Sequence, residues 1–395
     1  MKRIQSEAGL WVLLLAGSLT VMPGAVVLPV LGKIQQQFQL SGDYLLIGSL
    51  GSIHYLTVAL FCPLLGILAD RIGRVRVLVA SLLLFALFGI AGTWAETVLA
   101  LLATRMLLGA ATGGIAAASL GLLAQRYAAE EDRSQAIALA SSAITLANLV
   151  YPLLAGLLGA GQWQWAFYLY GIAIPLALAV VWQLTDRAAT ASLLGQSNAG
   201  LAVLGNGQIL CFFVTLCLTS AVALATVMNL SLHLSSRRFD PFTIAIVLTA
   251  QALGSASISA FGLKWLTRRF GVLTAIGLGY GCMTLALLGF PTLDPVPLIP
   301  ASALFGIGLG IVVPSHYAAL ANLTPPDLQS TVLAVGTGMT FLGQFLSPSL
   351  FGLVFQASSP VTTFSAATLV CLGLGLLLAA TARLSWFTQP RSPRS

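Results

Sequence analysis

Twelve stretches of this chain are almost wholly apolar and are separated by short charged or Pro/Gly-rich breaks. They fall near 9–31, 45–69, 76–94, 98–124, 135–158 and 164–184, then 209–233, 242–264, 271–290, 297–322, 331–356 and 362–386. This pattern narrows the folds open to the chain. A bilayer core takes about 20 mainly apolar residues per helical crossing. Backbone polar groups inside it must be bonded within a helix or a closed barrel. The runs lack the alternation of barrel strands, so helices are expected. Composition agrees: 58% of residues are hydrophobic and 7% charged, against roughly 25% charged in soluble domains.

The first run follows Met1-Lys2-Arg3, as a signal peptide would. Its apolar part continues to about Leu31 with no small-residue cleavage site after a short core, so a retained first helix is expected. The one longer polar stretch, Thr185 to Gln208, separates the sixth and seventh runs. The expected organisation is a six-helix bundle over 1–184, a linker over 185–208 on the cytoplasmic side and a second six-helix bundle over 209–395.

Loop charge orients the helices. With the N-terminus inside, the inner loops and ends hold Lys2, Arg3, Arg71, Arg74, Arg76, Arg126, Arg133, Arg187, Lys264, Arg268, Arg269, Arg383, Arg391 and Arg394. The outer loops hold only Lys33, Arg237 and Arg238. The positive-inside rule then places both termini in the cytoplasm, with a bacterial inner membrane as the expected location. This distribution also accounts for the net charge of +7 without nucleic acid. The five cysteines all lie inside apolar runs without metal-ligand spacing and read as packing residues. No nucleophile–base arrangement, phosphate loop or metal cluster points to an enzyme, a cofactor or a metal site.

The two halves repeat. Asn148-x-x-x-Pro152-x-x-x-Gly156 in the fifth run matches Gln344-x-x-x-Pro348-x-x-x-Gly352 in the eleventh, 196 positions later. Gly109-x-x-x-Gly113 in the fourth matches Gly306-x-x-x-Gly310 in the tenth, 197 positions later. Asp70-Arg71-Ile72-Gly73 has a degenerate copy in Arg268-Arg269-Phe270-Gly271, 198 positions later. Glycines four apart share a helix face and allow close backbone approach. Duplicated halves of this kind are common in transporters.

Charge is concentrated in one loop, Gly66-Ile67-Leu68-Ala69-Asp70-Arg71-Ile72-Gly73-Arg74-Val75-Arg76. It resembles the G-x-x-x-D-R-x-G-R-x-R loop between helices 2 and 3 of the major facilitator superfamily. Leu101-x-x-x-Arg105-x-x-x-Gly109 is similar to that family's second motif. Pro152-x-x-Ala155-Gly156 is similar to the end of the motif of its antiporter members, departing where Tyr151 replaces a glycine. The resemblance covers essentially the whole chain. It implies an all-α membrane protein with twelve transmembrane helices in two pseudo-symmetric six-helix bundles. It also implies alternating-access transport, and the nearest likeness is to twelve-helix drug:proton antiporters. Efflux of a small lipophilic or weakly polar solute by a monomer, with protons as the coupling ion, is the expectation that follows. Uptake of a small metabolite by a symporter or facilitator, and a transporter-like sensor or assembly factor, are the alternatives.

Particular residues carry roles under this reading. Asp70 suits the positive N-terminus of helix 11, near Ser330-Thr331, as a latch between halves. Arg71, Arg74 and Arg76 can pair with Asp70, with Glu130-Glu131-Asp132 or with anionic lipid head groups, or act only as topology signals. Arg105 lies inside the fourth helix, where an arginine costs about 2.5 kcal/mol or more and must find a partner. Asp43, or backbone carbonyls near Pro23 and Pro29, could serve. His54, Asn148, Tyr151, Asn229, Gln251, His316, Tyr317 and Gln344 are the remaining polar side chains expected to line a cavity or to bond between helices. Asp43 with Arg105, His54 and His316 are the candidates for coupling.

Overall fold

The computed structural model describes residues 2–40, 43–126, 130–184, 206–292, 294–325, 328–357 and 360–388. Residues 185–205 of the expected linker, and the side chains of Glu130, Glu131, Asp132 and Ser330, lie outside the described residues. The described chain is helical, without strands. In the first half the helices are α1 (Ala8–Gln37), α2 (Tyr44–Ile72), α3 (Arg74–Trp94), α4 (Val98–Arg126), α5 (Gln135–Gly159) and α6 (Trp163–Gln183). The second half holds α7 (Gly207–Ser236), α8 (Pro241–Phe270), α9 (Val272–Gly289), α10 (Val296–Asn322), α11 (Gln329–Ala357) and α12 (Pro360–Thr388). Ten of these are long and apolar enough to cross a bilayer, and α12 carries a shorter apolar stretch, Thr362–Leu378.

Each half is built round its own apolar core. One joins α1–α6 through side chains such as Val26, Leu78, Phe85, Ile115 and Phe167. The other joins α7–α12 through Phe213, Ile276, Met283, Phe305 and Phe364. Leu224, Met228 and Leu232 of α7 pack into the first core and tie the halves together.

Helix ends follow local chemistry and repeat between halves. Asp43 caps α2, accepting from Leu46 N at 3.1 Å. Asp240 caps α8, accepting from Phe242 N at 3.1 Å, Thr243 N at 3.2 Å and Thr243 Oγ1 at 2.6 Å. The two aspartates are 197 positions apart. Gly73 and Gly271, which separate α2 from α3 and α8 from α9, have φ of +112° and +83°, a region that only glycine enters without strain.

The observed helices overrun the expected ones at two places. Helix α1 passes Leu31 and ends at Gln37, with Lys33 partnered near its end. Its Nζ donates to the carbonyls of Gly159, Ala160 and Gly161 at 3.0, 2.6 and 2.9 Å. There it satisfies the exposed C-terminal carbonyls of α5 and complements that helix's dipole. Helix α8 continues beyond Lys264 to Phe270, after a π-helical turn at Ile258–Gly262 that widens the helix without ending it.

The Thr243 hydroxyl, joined by the backbone N–H groups of Thr243 and Phe242, holds the Asp240 carboxyl below the usual carboxylate range. The capped state is therefore favoured above the unfolded carboxyl value of about 3.9, and the benefit disappears as pH falls through the lower folded value. Asp240→Ala is expected to lower stability by about 1 kcal/mol or less at pH 7, the cap being largely exposed. In thermal unfolding across pH 7 to 3, the gap between wild type and variant should narrow at the acid end.

Candidate functional site

Four long helices bring the halves face to face: α2 lies on α11 and α5 on α8, while α7 closes against α1. The contacts between halves gather at the end of the bundle opposite the basic loops. Gly48 of α2 faces the Pro348 ring of α11, Gly51 faces Met228, and Gly32 of α1 faces Ser235 of α7. Asn229 Nδ2 donates to the Tyr44 hydroxyl at 2.8 Å, and Ser231 Oγ donates to the Leu28 carbonyl. Gly156 packs on Pro241 and Phe242 at the start of α8. Gly352 packs on Tyr44 and Leu45 at the start of α2. The two contacts are equivalents of each other in the repeat.

Below this seal a cavity of about 1060 Å3 lies between the halves, walled by α1, α2, α4 and α5 on one side and α7, α8, α10 and α11 on the other. Its wall begins at mid-depth around Gly24, His54 and Gln344 and continues toward the basic end at Ser141 and Phe261. Phe261 is 88% exposed there. The protein is therefore closed at the far end and hollow toward the basic one.

Of the eight polar residues singled out in the sequence, His54, Asn148, Gln251 and Gln344 line this cavity. Tyr151, Asn229, His316 and Tyr317 do not stand in its wall. Tyr151 shares a hydrogen bond with Ser18 at 2.9 Å, and Tyr317 one with Thr340 at 3.1 Å. Asn229 bonds Tyr44 and its own helix at Ala225 O, 2.6 Å. His316 is buried between Thr215 Oγ1 at 3.0 Å and Val312 O at 2.8 Å, edge-on to Phe212 and Tyr280.

The glycine pairs show how the four cavity residues are related. A side chain at Gly109 or Gly113 of α4 would run into α2 at His54–Thr57 and Val58–Cys62. One at Gly306 or Gly310 of α10 would run into α8 at Gln251 and Ser255. The same contact occurs twice, and it makes His54 and Gln251 mates 197 positions apart, just as Asn148 and Gln344 are mates. Pro152 and Pro348 lie four residues after the second pair, so each deprives the Asn148 or Gln344 carbonyl of its helical donor.

Sequence reading had passed over other parts of the wall. Tyr55 and Phe341, one from each half, stack at 6.1 Å with 20° between ring planes. Ser141, Ser142 and Thr145 on α5, and Ser255, Ser257 and Ser259 on α8, add hydroxyls. A run of small hydroxyl residues within apolar helices was the available signal.

Arg105 is 2% exposed. Its Nη1 donates to the Tyr170 hydroxyl at 2.8 Å and its Nη2 to the Pro23 carbonyl, with Cζ 5.8 Å from the Phe167 ring centre. It joins α4 to α1 and α6 through neutral partners. Asp43 stays at its helix cap and is not brought to Arg105. At the basic end Arg74 grips Asp70 through Nε at 2.9 Å and Nη2 at 2.8 Å, and reaches the Gly121 carbonyl of α4. Gly121 leaves room for the guanidinium. Arg76 donates to the Ile72 carbonyl at 3.3 Å, and Gly66 faces Ala117.

A family model described as Major Facilitator Superfamily matches residues 13–296 and 209–395. The chain belongs to that superfamily. The 3-(3-hydroxy-phenyl)propionate transporter of Escherichia coli (strain K12) is 27% identical over 300 residues, 73% of this chain and 72% of that protein. Multidrug resistance protein 1 of Bacillus subtilis (strain 168) is 24% identical over 371 residues, 90% and 91% of the two chains. Among solved structures, the nucleoside transporter NupG superposes with a TM-score of 0.78 at 16% identity, over 95% of this chain and 98% of that one. The major facilitator fold accounts for the two six-helix halves. It also makes the chain an integral multi-pass membrane protein that binds a small-molecule substrate and is not an enzyme.

Proposed function

We propose that the chain is a secondary active transporter that carries a small, weakly polar organic solute by alternating access. Both termini are cytoplasmic in a bacterial inner membrane, and efflux is the direction. The cavity between the halves, sealed at the far end and hollow toward the basic end, is the observation that supports this reading. With the basic end in the cytoplasm, this is the state in which an exporter would load. Reconstitution in both orientations, with solute inside or outside, tests it. Accumulation only in vesicles with the basic end outward supports efflux, and accumulation only in the opposite orientation replaces it with uptake. The second reading, uptake of an aromatic solute, is favoured by the relative named for 3-(3-hydroxy-phenyl)propionate together with the Tyr55–Phe341 pair.

Asp70 is proposed to exchange partners during the cycle. In this conformation Arg74 holds it at the foot of α2. When the basic end closes, the carboxylate would reach the positive N-terminus of α11. Asp70→Asn is expected to cut transport at least tenfold while membrane insertion is retained. An unchanged rate in proteoliposomes would remove the latch.

Proton coupling is assigned to His54. Asp43 is occupied as a helix cap, His316 is packed inside the second half, and Arg105 is bonded to Tyr170 and Pro23. A pH gradient should drive the wild type, and His54→Gln should respond to the solute gradient alone. A wild-type rate indifferent to the pH gradient excludes proton coupling.

A further inference from the structure

We infer that the solute is an uncharged ring compound bearing several O–H or N–H donors, held by His54, Gln251, Asn148 and Gln344. This rests on the reading that the cavity is the transport path, and adds the chemistry of what occupies it. Three of these side chains keep a buried polar atom without a partner: His54 Nδ1, Gln251 Oε1 and Gln344 Oε1. Asn148 bonds through Nδ2 only to its own helix, at Ile144 O, 3.2 Å. An unpaired buried polar group costs about 1–3 kcal/mol. These three belong to residues of the cavity lining and come from both halves, while other unpaired atoms, such as Asn229 Oδ1 and Arg105 Nε, lie outside it. Donors on the solute would satisfy the three together.

The wall also excludes alternatives. Among the described residues it contains no Asp, Glu, Lys or Arg. A desolvated ion without a counter-charge costs several kcal/mol, so a lipophilic cation would lack a carboxylate here. An anion would meet no fixed counter-charge, because Arg105 is absent from the wall and its two terminal nitrogens are already bonded to Tyr170 and Pro23. A purely apolar solute would leave every orphan unpaired. The parallel rings of Tyr55 and Phe341 offer a flat apolar face, which suits the face of a ring.

Two sources share this chemistry, a nucleoside-like heterocycle and a sugar-like polyol. Binding of uridine, glucose, gentisate and ethidium to the protein in nanodiscs separates them. Saturable binding of uridine or glucose is expected, weakened at least tenfold by Gln251→Leu and by Gln344→Leu in protein that still elutes as a single folded species. Gln251→Glu is expected to weaken the neutral probe and to admit ethidium. Wild-type binding of gentisate or ethidium alone, failure of all four probes, or a neutral probe unaffected by both leucine variants would falsify the proposal. A Ser141→Cys variant on a cysteine-free background separates that failure from failure of the transporter reading. If the thiol never changes its accessibility to an impermeant reagent between solute-loaded and empty protein, alternating access itself is wrong. If it does change, only the solute class is wrong.

Discussion

Arg105→Leu is expected to abolish measurable transport and to destabilise the first half by about 2–4 kcal/mol. The substitution removes two charge-assisted hydrogen bonds, each worth about 1.5–3 kcal/mol, and leaves the buried Tyr170 hydroxyl and Pro23 carbonyl with only the long 3.5 Å bond between them. Relief from holding a cation in a membrane offsets part of that loss. Function suffers more than stability, because Pro23 adjoins Gly24 in the cavity wall, and α1, α4 and α6 lose the group that fixes their relative position. Arg105→Lys keeps the charge but not the planar fork, so one of the two acceptors goes unmet and the effect should be intermediate. Proteoliposome transport and thermal unfolding of the two variants check this. A leucine variant that keeps half the wild-type rate would reduce Arg105 to a packing residue.

The second large effect is expected at Gly48. A Cβ there would lie 2.6 Å from Pro348 Cβ, too close for either atom to accept. The proline ring cannot rotate away. Gly48→Val must therefore push α2 and α11 apart at the far end. Overpacking of this kind costs about 1–3 kcal/mol. Here the penalty falls only on the conformation in which the halves touch, since the contact joins the halves and belongs to neither core. Every 1.4 kcal/mol is a tenfold change in the ratio of two states, so the far-end-open state should gain tenfold or more. Spin labels at Gln39 and Arg238, which lie just beyond α1 and α7, would report longer distances in the variant. An unchanged distribution would mean that this contact does not set the balance.

Much of the fold was legible because a bilayer leaves the chain few choices. The twelve apolar runs and the repeats near 197 positions predicted the halves, and the glycine pairs predicted where helices meet closely. The extra length of α1 was hidden, since the partners of Lys33 are carbonyls of α5 more than 120 residues away in sequence. The π turn in α8 was hidden too: a turn with one additional residue breaks the periodicity by which a helical face is read.

The site was only partly legible. A polar residue in an apolar helix needs a partner, and sequence cannot say whether that partner is a neighbouring backbone, another helix or a solute. His316 finds Val312 O and Thr215 through its two ring nitrogens. His54 and Gln251 find none at the atoms named above, and that distinction exists only in three dimensions. The hydroxyls of α5 were passed over for the converse reason. Thr145 Oγ1 bonds back to Ser141 O at 2.9 Å, which makes it resemble a packing residue even where it faces the cavity. The kinship of His54 and Gln251 was invisible because an imidazole and an amide share no sequence likeness. The glycines behind them carry the symmetry.

That kinship has a consequence for the direction in which a molecule can face as it crosses. The halves are related by an approximate two-fold operation, yet it exchanges an imidazole for an amide and an asparagine for a glutamine one methylene longer. A passenger turned through half a revolution would meet different groups at different reach, so its two ends are not interchangeable. The fold is nearly symmetric, while the cradle it builds is not. One pose should be preferred throughout the crossing, with the same end of the passenger always facing the same half.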